Sequence, residues 1–488
     1  MGVLGSLGGR HMRRTSAVPA VALVSLALLV GGLPATAAPA PSSSPQPAAA
    51  ATAPAPNAPD QPPVVPPLPK PDQTTVPPAS PIGPIPALPR AGEEIIDRRT
   101  ERSKTFATDT VGQYRTELYA ERVHYKDAKG TYQEIDSDLG ASKDGVRKSK
   151  ANAFVLELSD DANAAAVARL RLDDTVSVGF AVDGAGAVKA KADAAASSYA
   201  GVKTGVDIHL TSRPDGLKEE LILASAAAGD RFLFPLELKG LTASIDAAGD
   251  VVFRDKSGTE RARTPHGYMT DSALDPRSDE APTSYGVTYA LIPSAKGTAL
   301  EVRLDRAWLT DPARVWPVVV DPQLTVNTDG DDTFVMSGFH ADNSHSLELK
   351  VGTYDGGAHV GRSFVRFNTT LINAKVVNSA QFHIGESHSW NCTSAWPTVH
   401  RATVGWAGGS MQDWPGASFD ANPAGGVISA NGACEGLTVV YDVTSAATFW
   451  AANPTQSFGL VLNTPAPPTT TPGRSSSPPR PGHRPAWR

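Results

Sequence analysis

The chain has 488 residues, room for two or three domains of ordinary size, and a formal net charge of −6. That charge argues against a general attraction of the chain to nucleic acid or anionic lipid. Of the 42 prolines, 19 are concentrated between residues 38 and 92, where they mark a spacer rather than diluting every domain.

The N-terminus carries an address. Arg10, His11, Arg13 and Arg14 precede an apolar run from Ala17 to Leu33, and Ala35-Thr36-Ala37 offers small residues for cleavage. This pattern predicts a secretory signal peptide over residues 1–37 and an exported product. A membrane anchor is the alternative, but Ser25 and the break at Gly31-Gly32-Leu33-Pro34 leave the run short for a span. Residues 38–92 are mostly Pro, Ala, Ser, Thr and Val, which cannot build a core; they predict a disordered, extended linker.

Residues 93–322 alternate apolar and polar positions as half-buried strands do. Strands are expected around Leu118-Tyr119, Val123 to Tyr125, Tyr132 to Ile135, Phe154 to Leu158, Val176 to Val182 and Gly205 to Leu210. More follow at Leu217 to Leu223, Phe232 to Leu238, Val251 to Phe253, Ser284 to Ile292 and Leu300 to Leu304. Asp215-Gly216 marks the clearest hairpin, and Ala162 to Ala168 fits a helical turn. Together these predict a sandwich-like β domain, closed by the junction Trp308 to Pro322.

Residues 323–464 repeat the pattern in about seven or eight strands, the size of an antiparallel jelly-roll-like sandwich. Leu347 to Val351 is one expected strand. Ala446 to Trp450 fits one short helix, capped by Thr444 or Ser445. Residues 465–488 return to Pro, Thr, Ser and Arg and predict a disordered tail. Both cysteines, Cys392 and Cys434, fall in the second block, and in an oxidising compartment they most simply pair. The bridge would close a loop of about 42 residues and contribute roughly 4 kcal/mol in the chain-entropy model. Two buried free thiols are the alternative.

Certain runs resemble a known family. Arg362-Ser363-Phe364-Val365-Arg366-Phe367, Ser379-Ala380-Gln381-Phe382-His383-Ile384 and Val399-His400-Arg401-Ala402-Thr403 carry the resemblance. Trp406, Trp414, Asp442-Val443-Thr444, Trp450 and Gly459-Leu460-Val461-Leu462 complete it. They are similar to a DNRLRE domain, of the carbohydrate-binding module family 96 type. Ser103 to Phe106, Val123 to Tyr125, Pro214 to Glu219 and the junction resemble the N-terminal part of actinobacterial RHS/YD-repeat wall-associated proteins. The resemblance implies a secreted sandwich protein that binds glycan.

Aromatic faces stack on sugar C–H groups, which makes Trp390 and Trp396, flanking Cys392 in a polar run, the carbohydrate-binding candidates. Asp331 and Asp332, joined by Asp442 from a distant strand, offer hard oxygen ligands for Ca²⁺. No HExxH, GxSxG, catalytic-cysteine signature or phosphate-cradling loop marks a catalytic set. The sequence therefore predicts a mainly β, secreted, non-catalytic protein attaching to cell-wall or environmental polysaccharide, without a nucleic-acid partner. One alternative is a truncated stub of an RHS-type wall or toxin-delivery protein; another is a polysaccharide-active enzyme.

Overall fold

The computed structural model describes residues 89–275, 281–295, 297–326, 331–344, 346, 348–353, 357–386, 396–430 and 438–464, with the backbone course of 25–31, 431 and 437. The architecture is mainly β, in antiparallel sheets. Two large sheets build the front core. One runs from Asp136–Leu139 to Val287–Ser294 and has eight strands; the other centres on Val206–Arg213 and Gly216–Leu223 and has eleven. Leu156, Leu170, Phe180, Phe234 and Val302 from the first meet Tyr199, Ile208, Leu221, Phe253 and Val320 from the second in one continuous cluster. Strict alternation explains it: in Val206–Arg213 every second residue is buried, so one face of the strand is committed to the core.

The Val206–Arg213 and Gly216–Leu223 strands form the expected hairpin, with Arg213 opposite Gly216 and Pro214-Asp215 as the turn. Gly216 is needed for close approach, since a Cβ there would lie 2.1 Å from the Leu324 carbonyl oxygen.

The second core joins Val365, Phe382, Tyr441, Trp450 and Leu460, with Leu118 contributed from far upstream. A four-stranded sheet (Asp332–Met336, Gly361–Val365, Leu460–Asn463, Thr398–Arg401) is one layer. The other is six-stranded, in the order Ser103–Ala107, Gln113–Tyr119, Ser25–Gly31, Val376–Glu386, Leu437–Asp442, Val427–Asn431. The sequence pattern groups the 103–119 hairpin with the front domain; its strands share this second sheet instead. Ser25–Gly31, inside the expected signal peptide, is the strand that links the hairpin to the sheet.

Three local expectations change. Ala162 to Ala168 is no helical turn: Ala168–Arg171 is a strand, and Ala162 is buried as core filler. Residues 348–351 are irregular and lead into an isolated bridge between Gly352 and Gly361. The helix spans Thr444–Ala452, but neither expected side chain caps it. The Thr444 hydroxyl accepts from the Ala380 backbone N–H at 2.9 Å, tying the helix to the sheet instead.

Candidate functional site

The most unusual chemistry lies at the junction. Val318–Asp321 is a β-branched run ending in a carboxylate, paired with Gly216–Leu223 on one side and Tyr268–Thr270 on the other. Register places Asp321 opposite Tyr268, whose hydroxyl donates to Asp321 Oδ2 at 2.7 Å. Lys218 Nζ lies 3.3 Å from the same oxygen and 2.9 Å from Glu220 Oε1. His209, the register partner of Glu220, brings Nδ1 within 3.3 Å of Glu220 Oε2.

Strand alternation turns Glu219 the other way. It shares the core-facing side of its strand with Leu217 and Leu221, while Lys218 and Glu220 occupy the opposite side. Its carboxyl enters a cavity of about 30 Å³ lined by Phe180, Phe234, Phe253, Val302 and Leu324. One of its oxygens, Oε1, has no hydrogen-bond partner.

The electrostatics follow from this placement. Burial, reinforced by the nearby Asp321 charge, pushes Glu219 up to about 8. Burial also raises Asp321, against the pull of Lys218. Burial works in the same direction on Glu220, but His209 and Lys218 outweigh it and hold that carboxyl at about 2. Adjacent residues of one strand thus carry a proton-holding carboxyl and a permanently ionised one. Divergent pairs of this kind mark acid and base roles when substrate can reach them. Here the cavity has room for a water or two and nothing larger. The cluster therefore couples the junction's packing to protonation.

Sequence reasoning missed this site. Its one local signal was Lys-Glu-Glu in an alternating strand, which forces one of the two glutamates inward.

The residues singled out from sequence lie elsewhere. Trp396 is half-buried and packs against the second core, whereas Trp390, Cys392 and Cys434 fall outside the described residues. Asp331 and Asp332 sit together where the 103–119 hairpin meets the second block. Arg366 Nη2 binds Asp331 Oδ1 at 2.7 Å, and Arg102 Nη1 binds its other oxygen. Burial, then the neighbouring Glu121, pushes Asp332 up to about 7. Asp442 serves the helix start, where its Oδ1 accepts the Thr444 N–H at 2.9 Å. Among the described residues, no three His, Cys, Asp or Glu are grouped to hold a metal ion, and no helix is long and apolar enough to cross a membrane.

Comparison with known proteins redirects the functional reading. No family model and no solved structure matches the chain. The tRNA nuclease WapA of Bacillus subtilis is 26% identical over 400 residues, covering 76% of this chain and 16% of the relative. The tRNA3(Ser)-specific nuclease WapA of Bacillus spizizenii is 26% identical over 395 residues, with the same shares of each chain. The tRNA(Glu)-specific nuclease WapA of Bacillus subtilis subsp. natto is 25% identical over 400 residues. The chain thus spans about 16% of the length of these curated relatives.

This likeness overturns several expectations. The DNRLRE and carbohydrate-binding identification gives way to relatives named as nucleases. So do the polysaccharide partner, the non-enzymatic role and the exclusion of nucleic acid. The physical reason is plain for the charge argument: a net charge of −6 describes these 488 residues and cannot speak for polypeptides several times longer. The likeness favours the toxin-delivery alternative.

Proposed function

We propose that this chain is an exported, surface-presented β scaffold of a WapA-like system that delivers a tRNA nuclease into other cells. The observation that carries the reading is the alignment of 76% of the chain with three proteins named as tRNA nucleases. Their named targets differ, one tRNA3(Ser) and another tRNA(Glu), yet this chain is almost equally similar to both. That supports assigning to the aligned portion the work these proteins share, rather than the choice of tRNA. The N-terminal basic and apolar run supports export, and the proline-rich spacer supports holding the folded part clear of the producing cell's wall.

The test is a gene deletion in the producing bacterium, grown in co-culture with a sensitive neighbour whose tRNA 3′ ends are sequenced. Cleaved tRNA in the neighbour is expected to disappear with the deletion and return when the full chain is restored. Unchanged tRNA in the neighbour across all three strains would overturn the reading.

A further inference from the structure

The second sheet contains a position filled in an unusual way. Ser25–Gly31 lies between Gln113–Tyr119 and Val376–Glu386 and runs antiparallel to both, with every one of its residues in register with a partner on each side. Yet this strand belongs to the segment read as a signal peptide. Its removal would leave two facing strand edges roughly 9–10 Å apart, twice the ordinary strand spacing. Both flanking strands are held from behind, Gln113–Tyr119 by Ser103–Ala107 and Val376–Glu386 by Leu437–Asp442. Because each is antiparallel to the strand between them, they are parallel to one another. Direct closure would therefore need a parallel pairing and a shift of the sheet's outer half.

The flanking residues set what the position accepts. Leu26 is level with Leu118 and Phe382, and Leu28 with Thr116 and Ala380. All four of those neighbours are buried. Side chains directly opposite across a sheet share a face, so an occupant needs apolar residues at alternate positions. It also needs a free N–H at each ladder position, which excludes proline. Between Ala38 and Pro89, and again from Pro465 to Arg488, no seven consecutive residues lack proline. Neither of these two proline-rich segments can therefore replace the lost strand.

We propose that export opens an acceptor slot between Gln113–Tyr119 and Val376–Glu386, which takes a proline-free, alternately apolar strand donated by a partner polypeptide. The proposal rests on the export reading above. Docking uses strand addition: main-chain hydrogen bonds supply affinity, and alternate apolar side chains supply specificity. It would also hide two open sheet edges that otherwise invite aggregation.

The test uses the secreted protein and a synthetic peptide of residues 24–32 flanked by solubilising lysines. Intact mass should show that Ser25–Gly31 is gone. The peptide should then bind saturably at one per chain and slow amide exchange within Gln113–Tyr119 and Val376–Glu386. The L28P peptide should bind at least tenfold more weakly. Absent binding, or protection elsewhere, overturns the slot. A secreted protein that retains Ser25–Gly31 overturns it as well, because the position never opens. Neither result touches the co-culture readout, so the two proposals fail separately.

Discussion

Glu219 shows how a single inward-facing carboxyl can set a pH dependence for the whole front core. Its ordinary value of 4.5 is raised to about 8 in the fold by burial and by Asp321. Between those values the folded chain holds a proton that the unfolded chain has released, so stability falls as pH rises through that window. Every tenfold difference in proton affinity between the two states is worth about 1.4 kcal/mol, which makes the loss several kcal/mol. Glu219→Gln cannot ionise. Urea midpoints measured from pH 5 to 9 should decline for the native chain, with the decline much reduced in the variant; parallel curves would refute the assignment. A second residue-scale case lies in the junction itself. Arg314 stacks on Trp308 at 4.0 Å and donates to Asp271 Oδ2 at 2.7 Å, and the Asp271 side chain is wholly buried. Arg314→Met leaves that buried carboxylate with backbone N–H donors from Ala273 and Val315 but without its counter-charge, so a loss of roughly 3–5 kcal/mol is expected. Adding Asp271→Asn should recover part of it, and equilibrium unfolding of the four chains in a double-mutant cycle gives the coupling.

At the scale of elements, the hairpin of Val206–Arg213 and Gly216–Leu223 is the piece on which the junction is assembled. Gly216→Ala would drive a Cβ into the Leu324 carbonyl, and a loss of about 1–3 kcal/mol is expected from urea unfolding. An unchanged midpoint would show that Gln323–Thr325 can move away freely. This hairpin was legible in the sequence because both of its strands alternate and Asp215-Gly216 breaks the pattern between them. Other elements were not. Ala162 looked helical because alanine favours helices, whereas here its small size fits the sandwich interior. Thr444 has the chemistry of a cap, but a long-range partner, Ala380, claimed its hydroxyl. The junction cluster was hidden for the same reason. Lys218 and Asp321 are over a hundred residues apart, and only strand pairing brings them together. Asp331 and Asp332 were visible as an acidic turn, yet the arginines that bind Asp331, Arg102 and Arg366, come from 229 and 35 positions away in sequence. The hard oxygens of that turn are what suggested calcium.

Across the whole molecule, the two cores do not divide at Pro322 as the sequence suggested. Leu118, only 1% exposed, belongs to the second core although it precedes nearly all of the front domain. The same hairpin region sends Arg102 to Asp331, across 229 positions of sequence. A fragment of residues 323–464 would therefore expose the face of Ala380 and Phe382, lose the contacts of Leu118, and leave Asp331 with Arg366 but without Arg102. Burying one leucine contributes about 1.5–3 kcal/mol, a large share of what a domain of this size keeps in reserve. Expressed alone, this fragment should associate in size-exclusion chromatography and bind a hydrophobic dye. Co-expression with residues 25–136, which carry the linking strand Ser25–Gly31 together with the hairpin, should reduce both signals, because the hairpin then pairs back onto the sheet and restores Leu118 and Arg102 to their places. A monomeric, dye-silent fragment would instead show that the second sandwich closes without its upstream strands. In that case the 103–119 hairpin would be a docked accessory, and the order of folding along the chain would not need the front segment to wait for the second block.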